Sequence, residues 1–387
     1  MIPRSIAPSI RAQIGKYPVI TITGPRQSGK TTLIRTIFPD MPYFSLENPD
    51  TRARFTDDPR GMFASIGHRV VLDEVQRLPE LLSYIQGIVD EDREACIILS
   101  GSHNLLMMES VTQTLAGRTV VFYLMPLSYQ ELMAEFANLP SLDTIMFRGG
   151  YPRIYDRDLN PVQFYQSYVD TYIERDVRLL KNISNLSVFR NFLSICAAHV
   201  GQTIVHGKLA QAAGISTATV SAWLSLLETS YVIYQLNPYF KNFQKRIVKS
   251  SKLYFRDTGV VCSLLRLRSE ESLANFYNRG AVYENFVINE LGKSYFSKGE
   301  TPPFYYWRDS NQREIDLLID HGHGLQPIEL KSGQTYRQDY FKHLKWFETV
   351  ADVPLIDPTV VYGADDNWES EYGHLVSWRK LDGIVKG

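Results

Sequence analysis

Two short stretches carry residue types whose spacing suits phosphate chemistry: Gly24 to Thr31 reads GPRQSGKT, and Arg69 to Gln76 reads RVVLDEVQ. In the first, Gly24 and Gly29 permit a tight turn that aims successive backbone N–H groups inward. A helix beginning near Gly29 adds its positive end. Pro25, Arg26, Gln27, Ser28 and Thr32 complete a loop able to cradle the phosphates of ATP. Lys30 would reach the β- and γ-phosphates, and the Thr31 hydroxyl would coordinate Mg²⁺. In the second stretch, Asp73 would hold the metal through water, and Glu74 would orient and polarise the attacking water. A bland glycine turn and two surface acids at a strand end would explain each stretch separately. Together they point to a Mg²⁺-dependent ATP site.

Such residues need elements to position them. Tyr17 to Thr23, YPVITIT, has the β-branched character of a buried strand, and TLIRTIF after the loop has helical character. RVVLDEVQ reads as an apolar strand ending in carboxylates, expected to neighbour the first strand so that its end lies beside the Mg²⁺. A third strand, CIILSGS, ends in polar residues, among which Ser100, Ser102 and Asn104 are candidates for sensing the γ-phosphate. Arg118 precedes another apolar strand. It would act as an arginine finger, in cis or across a subunit interface, or be an ordinary surface arginine.

Composition narrows the classes. A chain of 387 residues suggests two or three domains, and 44% apolar residues allow large cores. A formal net charge of −1 excludes a global field for nucleic acid, so any DNA-binding surface must be a local patch. Three scattered cysteines, Cys96, Cys196 and Cys262, make neither a disulfide framework nor a zinc site. No signal-peptide stretch and no apolar run of membrane-spanning length is visible, so a soluble cytoplasmic protein without membrane partners is expected.

The segments GPRQSGKTTL, VVLDEVQRLPELLSYI, LSGSHNLLM, LAGR and PLSYQEL resemble a family of bacterial and archaeal AAA-type ATPases that carry a C-terminal domain of unknown function. RGGYP (Arg148 to Pro152), YIERDV (Tyr172 to Val177) and LYFRDTGV (Leu253 to Val260) are similar to family segments too. The resemblance implies ATP binding, and it implies a biological role only weakly.

Beyond a Gly-, Pro- and Asp-rich junction at 140–160, the pattern is helical from Pro161 to Leu180. His206 to Ala213, a turn at Gly214, and Ser216 to Glu228 have helix-turn-helix spacing, with Ala210, Ile215, Val220 and Leu224 placed to pack the pair. Strands at Tyr231 to Leu236 and Lys252 to Phe255 would form a wing. Ser216, Thr217, Thr219 and Ser221 would then face a DNA groove. Lys241 to Arg256 holds six basic residues and no acid, a patch able to neutralise phosphates or simply a solvated face. A packing module without DNA contact is the alternative.

From Gly280 a helix, Ala281 to Tyr295, carries Glu284. REIDLLID (Arg313 to Asp320) and LQPIELKSG (Leu325 to Gly333) flank an HGHG turn and suit a hairpin. Glu284, Asp316, Glu329 and Lys331 match the E…D…ExK pattern of the restriction-endonuclease-like nucleases, a possible second metal site. A charge ladder on a hairpin, or an inactive nuclease fold, is the alternative. His321 and His323 read as turn residues.

The expected architecture is α/β: a P-loop NTPase parallel sheet over residues 1–140, a helical, winged-helix-like segment over 141–265, and a restriction-endonuclease-like α/β domain over 266–387. Its expected function is ATP hydrolysis, with ATP and Mg²⁺ at the P-loop, coupled to action on DNA. The alternative is a nucleotide-dependent switch that binds protein partners, with self-association open. A small-molecule kinase is a third reading, weakened by the Asp–Glu pair, which favours water as acceptor.

Overall fold

The computed structural model describes residues 2–101, 113–136, 141–172, 185–240 and 250–385. Strands β1 (Val19–Thr23), β2 (Tyr43–Ser45), β3 (Arg69–Asp73), β4 (Cys96–Gly101) and β5 (Thr119–Tyr123) form a parallel sheet in the order β2-β3-β4-β1-β5. β1 and β4 are buried along their whole length, as expected where helices cover both faces of a parallel sheet. On one face, Ile10, Leu33 and Ile34 pack on Ile20 and Ile22 of β1. On the other, Phe55, Phe63 and Ile85 pack on Val70 and Leu72 of β3. The sheet order corrects one expectation: β3 does not neighbour β1, because β4 lies between them. Asp73 is nonetheless joined to the loop by Thr31, in the first turn of helix Lys30–Ile37, whose hydroxyl donates to it.

The next module is helical. Helix His206–Ala213 stops at Gly214, whose φ of 66° is the left-handed conformation that favours glycine. Ser216 then caps helix Thr217–Thr229 through Thr219 N. Strands β6 (Ile233–Leu236) and β7 (Lys252–Phe255) follow as an antiparallel pair.

Helix Arg279–Lys298 leads into a mixed sheet of β8 (Phe304–Arg308), β9 (Glu314–Asp320), β10 (Leu325–Lys331), β11 (Thr359–Tyr362), β12 (Trp368–Ser370) and β13 (Gly373–Ser377), ordered β12-β13-β11-β10-β9-β8. β9 and β10 form the expected hairpin.

The parallel sheet packs in two cores of its own, and a larger apolar core joins the connection after β5 to the helical module and the C-terminal part. It joins Leu127 and Leu132 to Phe192, Val220 and Tyr254, and these to Val287, Leu317 and Trp378. The helix Arg279–Lys298 is the shared wall. Asn285 brackets Phe255 by accepting from its N–H at 2.7 Å and donating to its carbonyl at 2.8 Å. No described helix is long and apolar enough to cross a membrane.

Candidate nucleotide site and a lysine-filled acidic cluster

The loop after β1 has little room for variation. Gly24 has a φ of 146°, and a Cβ there would sit 2.3 Å from the Leu124 carbonyl oxygen. Gly29 caps helix Lys30–Ile37 with a φ of 95°. Gln27 is also left-handed, at 65°, a conformation that costs a non-glycine residue on the order of 1 kcal/mol or more. Lys30 is only 6% exposed. Its ammonium donates to the carbonyls of Gly24 at 2.9 Å and Pro25 at 2.8 Å. Burial depresses it to about 8, against the opposing pull of Glu74 and Asp73.

Thr31 Oγ1 donates to Asp73 Oδ2 at 2.8 Å. Asp73 is buried and also accepts from the hydroxyls of Ser100 and Tyr43 and, at 3.0 Å, from Glu74 N–H. The next residue, Glu74, has a φ of 59°. That turn swings its side chain away from the strand, where the Gln76 amide donates to it. Burial pushes the Glu74 carboxyl up, with Lys30 opposing, a direction that makes a stronger proton acceptor. Pro25 and Ser28 are buried and Gly29 half-buried, while Thr31 and Thr32 open to solvent.

Several residues around the loop gave no signal in the sequence. Arg4 donates to Ser28 O at 2.7 Å and Met125 O at 2.6 Å, and pairs with Glu131 at 3.1 Å. Tyr43 reaches Asp73 from β2. The helical module also comes close. Pro152 lies 3.8 Å from where a Gly29 Cβ would be. The Arg26 guanidinium lies 5.9 Å from the Tyr172 ring centroid. The Tyr231 and Thr23 hydroxyls are 3.0 Å apart.

Residues 16–133 match the family described as an AAA domain. This part of the chain has the parallel sheet of a P-loop NTPase fold and is similar to AAA domains. Residues 139–271 and 279–381 match two families described as domains of unknown function, DUF8612 and DUF4143. Uncharacterized proteins of Mycobacterium tuberculosis and Mycobacterium bovis are each 29% identical over 337 residues, covering 86% of this chain and 74% of theirs. An uncharacterized protein of Haemophilus influenzae is 23% identical over 210 residues, half of each chain. Among solved structures, the Walker-type ATPase of Pyrococcus abyssi is similar with a TM-score of 0.48 at 15% identity, covering 68% of this chain and 96% of that one.

Within the N-terminal domain, Ser100 is committed to Asp73, while Ser102 and Asn104 lie outside the described residues. Arg118 is not brought to the loop. It stands before the N-terminal end of β5, whereas the loop follows the C-terminal end of the parallel neighbour β1. That separation is about 16 Å, and the guanidinium is held in a two-pronged pair with Asp90 at 2.6 and 2.8 Å. A finger in cis is therefore out of reach.

The four residues of the second set lie around one end of the C-terminal sheet, but not as a metal cage. The Lys252 ammonium, on β7, stands between Glu284 at 2.8 Å and Glu314 at 2.5 Å. The Tyr254 hydroxyl also donates to Glu284. Asp316 Oδ2 accepts from Leu330 N–H at 2.8 Å, and Glu329 pairs with Lys331 at 2.5 Å. Burial alone would depress the Lys252 ammonium, but Glu284, Asp316 and Glu314 more than reverse this and keep it charged. Burial pushes Glu284 up to about 7, with Lys252 opposing and Asp316 adding. Among the described residues no three His, Cys, Asp or Glu side chains are grouped to hold a metal ion. Lys252, which the motif did not include, pairs with Glu284 of that set.

The basic run is corrected in the same way. Lys252 is 2% exposed and Arg256 half-buried, so neither belongs to a surface patch; residues 241–249 lie outside the described residues. So does most of the YIERDV segment. On helix Thr217–Thr229, Thr217 and Ser221 are exposed, as is the Ser216 cap, Thr219 is half-buried, and Val220 and Trp223 face the core.

Proposed function

We propose that this protein is a Mg²⁺-dependent ATPase whose nucleotide state is passed to the helical module and, through the shared core, to the C-terminal domain. The observation that carries this reading is the contact of the Thr31 hydroxyl with the buried Asp73 carboxylate at 2.8 Å, with Lys30 and Glu74 on either side. Hydroxyl and carboxylate oxygens are the hard donors that Mg²⁺ prefers, and phosphate oxygens and water complete its shell. The metal would supply charge neutralisation at the phosphates.

The chain's own groups do the rest. Loop N–H groups and the helix end hold phosphate oxygens. Lys30, resting on carbonyls of its own loop, transfers to the incoming phosphates with little desolvation still to suffer. Glu74 orients water and accepts its proton. Tyr231, Pro152 and Tyr172 touch the loop or its flank, so a shift there is felt by the helical module.

The test is ATP hydrolysis by the full chain with Mg²⁺, with and without duplex, single-stranded and branched DNA, beside Lys30→Ala and Glu74→Gln. Glu74→Gln should keep ATP binding and lose hydrolysis by about 10²-fold or more. Wild-type rates in Glu74→Gln would sink the assignment. Action on DNA is a second reading, supported by the exposed polar face of helix Thr217–Thr229. It requires that DNA stimulate hydrolysis and that Thr217→Glu and Ser221→Glu abolish the stimulation.

A further inference from the structure

Where the three parts of the chain meet there is a cleft of about 290 Å³, lined by residues of the β5-to-helix connection, the β6–β7 pair, helix Arg279–Lys298 and the approach to β8. Its chemistry centres on Arg256. The guanidinium lies over the Tyr234 ring, 4.3 Å from the centroid, and 5.5 Å from that of Phe296. Its Nε is sealed from solvent and has no hydrogen-bond partner. Among the described residues no carboxylate oxygen comes within ion-pair distance of it. Glu228, the acid on the cleft wall, has one oxygen on Gln235 N–H at 3.1 Å and the other on the Gln235 amide at 2.9 Å. The Tyr234 hydroxyl is likewise buried without a partner.

This is an unusual place to leave a guanidinium. A cation taken out of water needs a counter-charge or hydrogen bonds, and aromatic faces return only part of that loss. Burial accordingly disfavours the charged form here. Lys30 is also without a carboxylate partner, its ammonium resting on two carbonyls, at the loop read above as a phosphate site. Around Arg256 the wall adds Asn237 and Thr301, beside Lys293, Gln235 and Asn289, which are bonded to Glu290, Glu228 and the Phe255 carbonyl. The Phe304 and Tyr305 side of the cleft is apolar. The volume is at the lower end for small-ligand sites. A planar fork over a ring presents its donors edge-on to a two-oxygen acceptor.

We propose that this cleft binds a small ligand through an oxyanion, a carboxylate or phosphate group seated on Arg256, with its body against the aromatic wall. The site lies outside the P-loop and is separate from ATP.

The test uses the full chain carrying Lys30→Ala, so that phosphate binding at the P-loop does not contribute. Sodium phosphate and sodium acetate are titrated through the millimolar range against sodium chloride at equal ionic strength, with melting temperature and calorimetry as readouts. Saturable stabilisation by either anion beyond chloride is expected, and which of the two acts separates a phosphate from a carboxylate ligand. Arg256→Gln should abolish it. Should that variant fail to fold, Arg256→Lys keeps the charge and should weaken binding by about tenfold or more. No saturable effect of either anion, or an effect undiminished by these variants, would overturn the proposal.

Discussion

The nucleotide loop and the acidic cluster of the C-terminal sheet use the same ingredients, a buried lysine beside carboxylates, and differ in how the lysine is satisfied. Lys30 rests on two backbone carbonyls of its own loop and is depressed to about 8. Lys252 is gripped by two carboxylates and held charged. The first arrangement leaves a positive charge short of a partner, which an incoming phosphate supplies. In the second, the ammonium already has its counter-charges. A motif of residue types does not separate a site from a staple; the partner of the buried charge does.

The sharpest way to break this comparison is to remove each ammonium. Lys252→Met leaves Glu284 and Glu314 facing an empty position, and should cost about 3–5 kcal/mol of stability in urea unfolding. Adding Glu284→Gln should return part of that. Lys30→Met should do the reverse: a ligand-free melting temperature at or above wild type, with hydrolysis down by about 10²–10³-fold. Equal destabilisation by both would show that the two lysines are staples alike.

Titration gives a smaller effect. Only the ammonium form of Lys30 holds phosphate, so ATP affinity should fall as pH rises through about 8, by up to about tenfold per pH unit above it. Lys30→Arg should remove that dependence. At the cluster, the raised Glu284 binds its proton more tightly in the folded state than in the unfolded one. Its contribution is complete below the unfolded value of 4.5 and lost as pH rises toward 7. Glu284→Gln should flatten the stability-versus-pH curve across that window. The smallest effect belongs to Arg118→Ala, where a pair at the far end of the sheet should leave hydrolysis of a single chain unchanged; a loss that appears only at high protein concentration would indicate a role in trans.

Local patterns announced local structure. GPRQSGKT between a β-branched strand and a helical run, the cap at Ser216, and the hairpin around HGHG each depend on neighbours within a few residues, and each is found where the sequence put it. The contacts that decide function are long-range. Arg4 and Tyr43 reach the loop from segments with no special composition, and Lys252 enters the acidic cluster 32 residues before Glu284 in the chain. Strand order was misjudged for the same reason: nothing in RVVLDEVQ reveals that β4 inserts between it and β1.

The single core that runs from Leu127 to Val385 has a consequence for how the protein is made. Its parallel sheet can pair and pack while synthesis continues, since its strands end by Tyr123. The helical module cannot. Its apolar interior waits for helix Arg279–Lys298, and then for Trp378 and Val385, far downstream of the sheet. For most of its birth the chain holds a finished nucleotide loop beneath an unfinished cover, with oily surface exposed to chaperones and to other nascent chains. A chain interrupted between Arg279 and Trp378 would hold an intact loop without the core that joins the helical module to the C-terminal sheet.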